Sequence, residues 1–112
     1  EAMWVGWPET PEGSLALEGV HLFAALRDRA TAVLVGPGTG KEAETRAALG
    51  EVVRTSTCPL VIDADALVPE VVGAGAAPRV LTPHAGEFAR ISQGKALRAC
   101  AADLRAAIVL KG

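Results

Sequence analysis

Short apolar runs alternate along the chain with longer stretches in which apolar residues recur every three or four positions. Four runs, at residues 32–35, 60–62, 80–81 and 108–110, consist entirely of aliphatic residues, and each is followed by a polar or glycine-rich segment. Continuous apolar runs of this length are typical of strands buried within a parallel sheet. The pattern therefore predicts four strands.

The segments between these runs predict helices. In residues 41–54, for example, Thr45, Ala48, Leu49 and Val52 fall on one side of a helix. Strands that alternate with helices form right-handed βαβ units, so the predicted fold is α/β, a parallel sheet with helices on both faces. The predicted helices are 14–30, 41–54, 65–72, 85–92, and 97 to 107 or 108. Ser14 is the expected cap of the first helix and Asp65 that of the third. Gly50 is expected to interrupt or weaken the second helix.

The last apolar run is followed directly by Lys111 and Gly112, where the chain stops. A parallel strand that is buried on both faces needs a covering element on each side. We therefore expect residues 1–112 to be the central portion of a single domain, with a sheet that is incomplete at both ends.

The turn after the third strand is the most informative segment. Thr82 is expected to cap a helix that begins with Pro83, because proline tolerates the first helical position. This places His84 and Glu87 at a helix N-terminus beside the carboxyl end of a strand, where parallel sheets bind ligands. Imidazole titrates near neutral pH, so His84 can hydrogen-bond or protonate a phosphate or hydroxyl group. The alternative is a plain connection, with His84 solvated and Glu87 interacting with the helix dipole.

A glycine-rich turn follows the first strand and contains Gly36, Gly38 and Gly40. It does not match a Walker A loop. That motif has four residues between its first glycine and the Gly-Lys pair, and a hydroxyl residue after the lysine. Here only three residues lie between Gly36 and the pair Gly40-Lys41, and Glu42 follows Lys41. It does not match the dinucleotide fingerprint either, because a lysine occupies the position of the third glycine. Such a turn can bring backbone N–H groups close to a phosphate, or it is simply a tight turn.

Asp63 and Asp65 follow the second strand, and Lys111 follows the fourth. The two carboxylates are candidates for contacts with hydrated Mg²⁺ or a ribose. Alternatively, Asp65 only caps a helix and Asp63 only accepts a hydrogen bond at the strand end. Lys111 either contacts a nucleotide phosphate or is an ordinary surface charge. Because the carboxyl ends of parallel strands meet at one edge, these signals together predict a ligand site there.

Composition excludes several classes of function. The chain has 112 residues, 50% of them hydrophobic, which suits one domain with a core. A net charge of −2 and an aromatic content of 4% argue against a nucleic-acid partner. No apolar run is long enough to predict a membrane partner. Cys58 and Cys100 are far apart in the sequence, so neither a redox pair nor a metal knuckle is predicted, and we expect a cytoplasmic protein.

Four segments carry a resemblance to a known family: residues 35–40, 59–67, 81–88 and 108–112. In order and spacing they resemble the ADP- or ATP-dependent NAD(P)H-hydrate dehydratases, which have a ribokinase-like fold. The resemblance covers the whole chain but only the middle of the family's domain. It implies a ribokinase-like fold for these residues.

The resemblance also implies a function. Such lyases use ADP or ATP to phosphorylate the hydroxyl of hydrated NADH or NADPH (NADHX or NADPHX), and loss of phosphate restores the reduced dinucleotide. Mg²⁺ is expected to bridge the nucleotide phosphates, and we expect a homo-oligomer. The alternatives are a ribokinase-like small-molecule kinase and a non-catalytic nucleotide-binding domain.

The family's motifs also suggest roles for individual residues. No catalytic residue is expected within residues 1–112, because the aspartate that activates the hydroxyl belongs to a later glycine-rich motif. No residue is expected to ligate a metal directly. The expected nucleotide-binding residues are Lys111 and Gly112, and the expected substrate-binding residues are Gly36, Gly38, Gly40, Asp63, Asp65, His84 and Glu87.

Overall fold

A computed structural model describes residues 2–112 as one α/β unit. Its four short strands are β1 (Val33–Val35), β2 (Leu60–Ile62), β3 (Arg79–Leu81) and β4 (Ala106–Ile108). Its helices are α1 (Val20–Leu26), α2 (Ala43–Thr55), α3 (Pro69–Val72), α4 (Ala85–Ser92) and α5 (Leu97–Leu104), with 3-10 turns at Leu17–Gly19, Arg27–Arg29 and Ala64–Ala66. Within residues 2–112, no helix is long and apolar enough to cross a membrane.

The sheet is fully parallel, and its spatial order, β1-β2-β3-β4, follows the sequence. Each strand is therefore joined to its neighbour by a crossover that contains at least one helix. Because right-handed crossovers that always step in the same direction place their helices on the same side, one face of the sheet receives the helical layer. The α/β fold with a parallel sheet is confirmed.

The covered face holds the hydrophobic core. Leu60, Ile62 and Leu81 are at most 1% exposed there and pack against side chains from α2, α3 and α4. Alternate residues of a strand point to opposite faces, so the middle residue of each strand points away from this core. Helices were predicted on both faces of the sheet. Within residues 2–112, they cover one face.

The other face of the sheet carries an apolar row. Leu34 pairs in register with Val61, Val61 with Val80, and Val80 with Ala107, so the four side chains form one line across the strands. Leu34 is 63% exposed and Val61 is 36% exposed. Exposed aliphatic side chains are unusual at the centre of a parallel sheet, which is normally buried on both faces.

The first helix is shorter than predicted, and Ser14 does not cap it. The Trp7 indole donates a hydrogen bond to the Ala16 carbonyl oxygen at 2.8 Å, and the Ala16 amide donates to the Pro8 carbonyl oxygen at 2.9 Å. These contacts hold the chain extended through Ala16. The helical conformation begins only at Leu17, as a 3-10 turn.

Two further boundaries differ from the prediction. Helix α5 ends at Leu104 because Arg105 adopts a left-handed conformation with φ of 51°, and β4 therefore begins at Ala106, two residues earlier than predicted. Helix α2 continues through Gly50 without a break. A Cβ atom at Gly50 would lie at an ordinary contact distance, 3.5 Å, from the Glu70 carbonyl oxygen, so this glycine lies beside α3.

Candidate functional site

The turn after β3 places His84, rather than Thr82, at the N-cap of α4, so the predicted capping role of Thr82 is wrong. The His84 Nδ1 atom accepts a hydrogen bond from the Glu87 amide at 3.2 Å, and Glu87 Oε1 accepts one from the His84 amide at 3.0 Å. This reciprocal capping box satisfies two backbone donors at the helix end. Pro83 lies before the cap, because the helix itself begins at Ala85.

The capping box fixes the orientation and tautomer of the His84 ring. Since Nδ1 accepts a hydrogen bond, the proton of the neutral ring is on Nε2. Nε2 lies 3.5 Å from Glu87 Oε2, and the His84 side chain is 61% exposed while that of Glu87 is 11% exposed. Glu87 therefore acts as a buried support. The Nε2–H group of His84 is available to donate to an oxygen of a ligand.

The glycine-rich turn lies directly against the end of β2. Gly36 has φ of 123°, and a Cβ atom there would lie 1.7 Å from the Asp63 carbonyl oxygen. Gly40 has φ of 103° and a Cβ there would lie 2.2 Å from Ser14 Oγ. Only glycine fits these two positions. At Gly38, between them, a Cβ atom would meet nothing within 4 Å, so this residue faces open space.

Asp65 is the link between the glycine-rich turn and β2. Its Oδ2 atom accepts a hydrogen bond from the Gly40 amide at 3.0 Å. The sequence predicted that Asp65 caps a helix, and this prediction is wrong. Asp65 lies in the middle of the 3-10 turn Ala64–Ala66, and α3 begins later, at Pro69. Its carboxylate therefore holds the glycine-rich turn in place.

Asp63 is the link between β2 and β4. Lys111 Nζ lies 3.3 Å from Asp63 Oδ1, and the Lys111 amide donates to the Pro83 carbonyl oxygen at 2.8 Å. Burial opposes ionisation of Asp63, but hydrogen bonding with the Ala64 amide, the Thr82 hydroxyl and Lys111 outweighs it and holds the pKa of this carboxyl below its usual range. Asp63 is therefore an anion paired with Lys111.

The predicted site residues thus come together on one edge of the sheet. Lys111 forms a parallel bridge with His84, and Asp63 lies between the glycine-rich turn and the turn after β3. Neighbouring strands are about 4.8 Å apart, so β1 and β3, after which the glycine-rich turn and His84 follow, are separated by about 10 Å. Gly112 adjoins this edge. A Cβ atom added at Gly112 would meet nothing within 4 Å.

Comparison with known proteins identifies the family of this chain. The model of the NAD(P)H-hydrate dehydratase family matches residues 10–112. An ADP-dependent (S)-NAD(P)H-hydrate dehydratase from Xanthomonas campestris is 31% identical over the whole of this chain. The chain belongs to the NAD(P)H-hydrate dehydratase family.

Other members of the NAD(P)H-hydrate dehydratase family are similar in sequence and structure. A bifunctional NAD(P)H-hydrate repair enzyme Nnr from Thermofilum pendens is 34% identical over the whole chain. A Bacillus subtilis ADP/ATP-dependent NAD(P)H-hydrate dehydratase, crystallised with ATP and Mg²⁺ and soaked with coenzyme A, superposes with a TM-score of 0.62 at 32% identity. This alignment covers 85% of our chain and 39% of the Bacillus chain. The ribokinase-like fold is therefore confirmed.

The chain spans only part of the length of these dehydratase relatives. It covers 24% of the Thermofilum protein and 42% of the Xanthomonas protein.

The described residues of this family member do not form a protein cage for a metal ion. Among residues 2–112, no group of three or more His, Cys, Asp or Glu side chains is arranged to hold one. Asp63 is paired with Lys111, and Asp65 accepts the Gly40 amide. Each carboxylate therefore has a partner among the described residues, and a contact with hydrated Mg²⁺ or a ribose stays a prediction.

The sequence reasoning missed a group of cationic side chains beside Asp65. They line a cavity of about 180 Å³ whose walls are formed by Lys41, Arg46, Asp65, Val68 and Arg90. These residues come from three separate segments of the dehydratase chain. Since Asp65 is 19 positions after Arg46 and Arg90 is 22 positions after Val68, only the folded structure brings the segments together.

Proposed function

We propose that the full gene product is an ADP- or ATP-dependent NAD(P)H-hydrate dehydratase, a lyase that repairs NADHX or NADPHX. The observation that carries this proposal is the exposed side chain of His84, whose ring is held by Glu87 at the carboxyl edge of the sheet. It occurs in a chain whose family model matches residues 10–112. A rigid donor at this edge is what recognition of a hydroxyl or phosphate oxygen requires.

The substrate residues have separate physical roles in this proposal. Gly36, Gly38 and Gly40 let the backbone approach the hydrate, since the turn is compact at its two ends and open at Gly38. Asp65 holds the turn through the Gly40 amide. His84 donates from Nε2, and Glu87 keeps its ring in position.

The nucleotide is proposed to lie on the β4 side of the same edge. Lys111 and Gly112 begin the segment that contacts it, and Asp63 holds the Lys111 ammonium group in place. Mg²⁺ is proposed to arrive with the nucleotide phosphates, because the described side chains do not cage it. The aspartate that activates the hydroxyl is expected outside residues 1–112.

The chemistry has two stages. The terminal phosphoryl group of the nucleotide is transferred to the substrate hydroxyl, whose proton goes to a base. The C–O bond then breaks, phosphate leaves with the bonding electrons, and loss of a ring proton re-forms the double bond of the reduced nicotinamide. For phosphoryl transfer, positioning and charge stabilisation supply most of the acceleration. The residues described here contribute to positioning.

We further propose that residues 1–112 are the central portion of a single ribokinase-like domain. The apolar row Leu34, Val61, Val80 and Ala107 supports this, because a parallel sheet is normally covered on both faces. The chain covers 42% of the Xanthomonas relative. The rest of a protein of that length is sufficient to supply the covering elements. A cytoplasmic location and a homo-oligomeric state stay predictions.

The proposal is tested by incubating the full gene product with NADHX or NADPHX, Mg²⁺ and either ADP or ATP. A dehydratase releases free phosphate and regenerates a reduced dinucleotide, whereas a small-molecule kinase leaves a phosphorylated product. Mass spectrometry of the dinucleotide separates these outcomes. A stable phosphorylated hydrate, with no free phosphate, would favour the kinase alternative.

A further inference from the structure

The cavity beside Asp65 has an unusual excess of positive charge. Its walls contain the cations Lys41, Arg46 and Arg90, the anion Asp65, and one apolar residue, Val68. Three cationic side chains and one anionic side chain leave a net charge of +2. Like charges that share a cavity repel one another unless an anion is present between them.

Among the described residues, the carboxylates closest to Lys41 in sequence contact other groups. Glu42 Oε2 accepts a hydrogen bond from the Thr10 hydroxyl at 2.5 Å, and Glu44 Oε2 accepts one from the Leu17 amide at 2.9 Å. Both acidic groups that are close to Lys41 in sequence are therefore engaged with the N-terminal segment. Within residues 2–112, the Lys41 ammonium group makes no ion pair.

The arginines of the cavity are also incompletely matched by anions. Arg46 Nη1 lies 3.8 Å from Glu70 Oε2, a long contact between side chains that are 39% and 54% exposed. Such an exposed pair contributes little. Arg90, on the last turn of α4, makes no ion pair with the part of the chain that the structure describes. Two guanidinium groups and one ammonium group are thus available to an anionic ligand.

The size of the cavity limits what it can hold. Its volume is about 180 Å³. Pockets for complete drug-sized ligands begin at about 300 Å³. The cavity therefore suits one phosphate or diphosphate group rather than a nucleoside. Guanidinium and ammonium groups are the side chains that recognise such groups.

The position of the cavity indicates whose phosphate it receives. Asp65 belongs both to the cavity wall and to the contact with Gly40, in the turn proposed to hold the hydrate. We propose that Lys41, Arg46 and Arg90 bind a phosphate group of the substrate dinucleotide while its hydrated ring lies near His84. This inference rests on the proposed function for the identity of the substrate. The phosphate is either the pyrophosphate, present in both hydrates, or the 2′-phosphate that NADPHX alone carries.

The test compares K41Q and R90Q with a matched control, R98Q, in the full gene product. Arg98 is an exposed cation on α5 that does not line the cavity. Binding of two probes, inorganic pyrophosphate and adenosine 2′,5′-bisphosphate, is measured by calorimetry. Loss of one charge-assisted hydrogen bond should weaken binding of at least one probe about tenfold in K41Q and in R90Q, and R98Q should match the wild type.

Steady-state kinetics with the two hydrates identify the source of the phosphate. We expect K41Q and R90Q to raise KM with little change in kcat, because a contact made equally in ground and transition states affects binding alone. An equal increase with NADHX and NADPHX assigns the pyrophosphate. An increase confined to NADPHX assigns the 2′-phosphate. Either result supports the proposal.

The proposal is overturned if neither probe binds the wild type, or if K41Q and R90Q bind both probes within about twofold of the wild type. It is also overturned if R98Q loses as much affinity as R90Q, because the effect would then be one of overall charge. The calorimetric result does not depend on turnover. If the wild type binds a probe through Lys41 and Arg90 but turns over neither hydrate, the cavity assignment stands and the proposed dehydratase activity fails.

Discussion

His84 and Glu87 cap the N-terminus of α4 reciprocally. The Glu87 amide donates to His84 Nδ1 at 3.2 Å, while Glu87 Oε1 accepts from the His84 amide at 3.0 Å. The same imidazole therefore stabilises the helix and presents Nε2–H at the edge of the sheet. Substitutions at this position must separate the structural role from the proposed role in substrate binding.

Asparagine at position 84 separates these two roles. Asparagine is among the best N-cap residues, so H84N should retain the stability of the wild type within about 0.5 kcal/mol. It lacks the imidazole, so we expect turnover of the hydrate to fall at least about tenfold. H84A, which loses both roles, should also be destabilised by about 1 kcal/mol. Urea unfolding and hydrate turnover are the measurements, and full turnover in H84N would contradict the proposed role of His84.

The two glycines Gly36 and Gly38 make a matched pair. Both have positive φ, but a Cβ atom at Gly36 would lie 1.7 Å from the Asp63 carbonyl oxygen, whereas at Gly38 the space is open. G38A should therefore show only the backbone strain of about 1–3 kcal/mol, and G36A should be less stable than G38A because the turn must also move. Thermal unfolding of the two variants compares them. Equal stability would mean that the contact between the turn and β2 is not as tight as described.

Acid stability should depend on Asp63, whose pKa is held below its usual range against the opposing effect of burial. A carboxyl group with a lowered folded-state pKa stabilises the fold above its unfolded value of about 3.9 and loses this contribution as the pH falls through the folded-state pKa. D63N should thus be less stable than the wild type at neutral pH and less pH-dependent below about pH 4.

Urea midpoints measured from about pH 7 down to about pH 3 test the role of Asp63. The exposed residue Asp28 provides a control, D28N, which should follow the wild type. Parallel curves for D63N and the wild type over this range would show that Asp63 makes no net contribution through its ionised form.

The proposed covering of the open sheet face predicts a cost for V61T in the full gene product. Threonine has nearly the shape of valine, so the substitution adds a hydroxyl without removing volume. If other parts of the domain bury Val61, the unsatisfied hydroxyl should cost about 1–3 kcal/mol. On a solvated face the change should be within about 0.5 kcal/mol. I62T, at a buried position of the covered face, is the positive control.

The strands and the shared site edge were predictable from sequence because both depend on local patterns. Aliphatic runs that end in glycine or aspartate place the chemistry at strand ends, and the structure confirms a parallel sheet. The caps were not predictable in the same way. Thr82 and Asp65 have the right residue type for caps, but the decisive contacts, Glu87 with His84 and Asp65 with Gly40, depend on geometry that the sequence does not show.

The cationic cavity illustrates a second limit of sequence reasoning. Lys41, Arg46 and Arg90 each look like ordinary surface charges on helices. Their grouping depends on the tertiary structure, which brings them to one cavity with Asp65. Contacts between distant segments are set by tertiary packing, and no short sequence motif encodes them.

The most direct test of the proposed repair function is a coupled measurement on the full gene product with NADHX, Mg²⁺ and ADP or ATP. Absorbance of the reduced nicotinamide and free phosphate are followed together, for the wild type and for H84N. The account predicts that both signals rise in equal amounts with at least one nucleotide in the wild type, and much more slowly in H84N. Bound nucleotide with neither signal rising would contradict it.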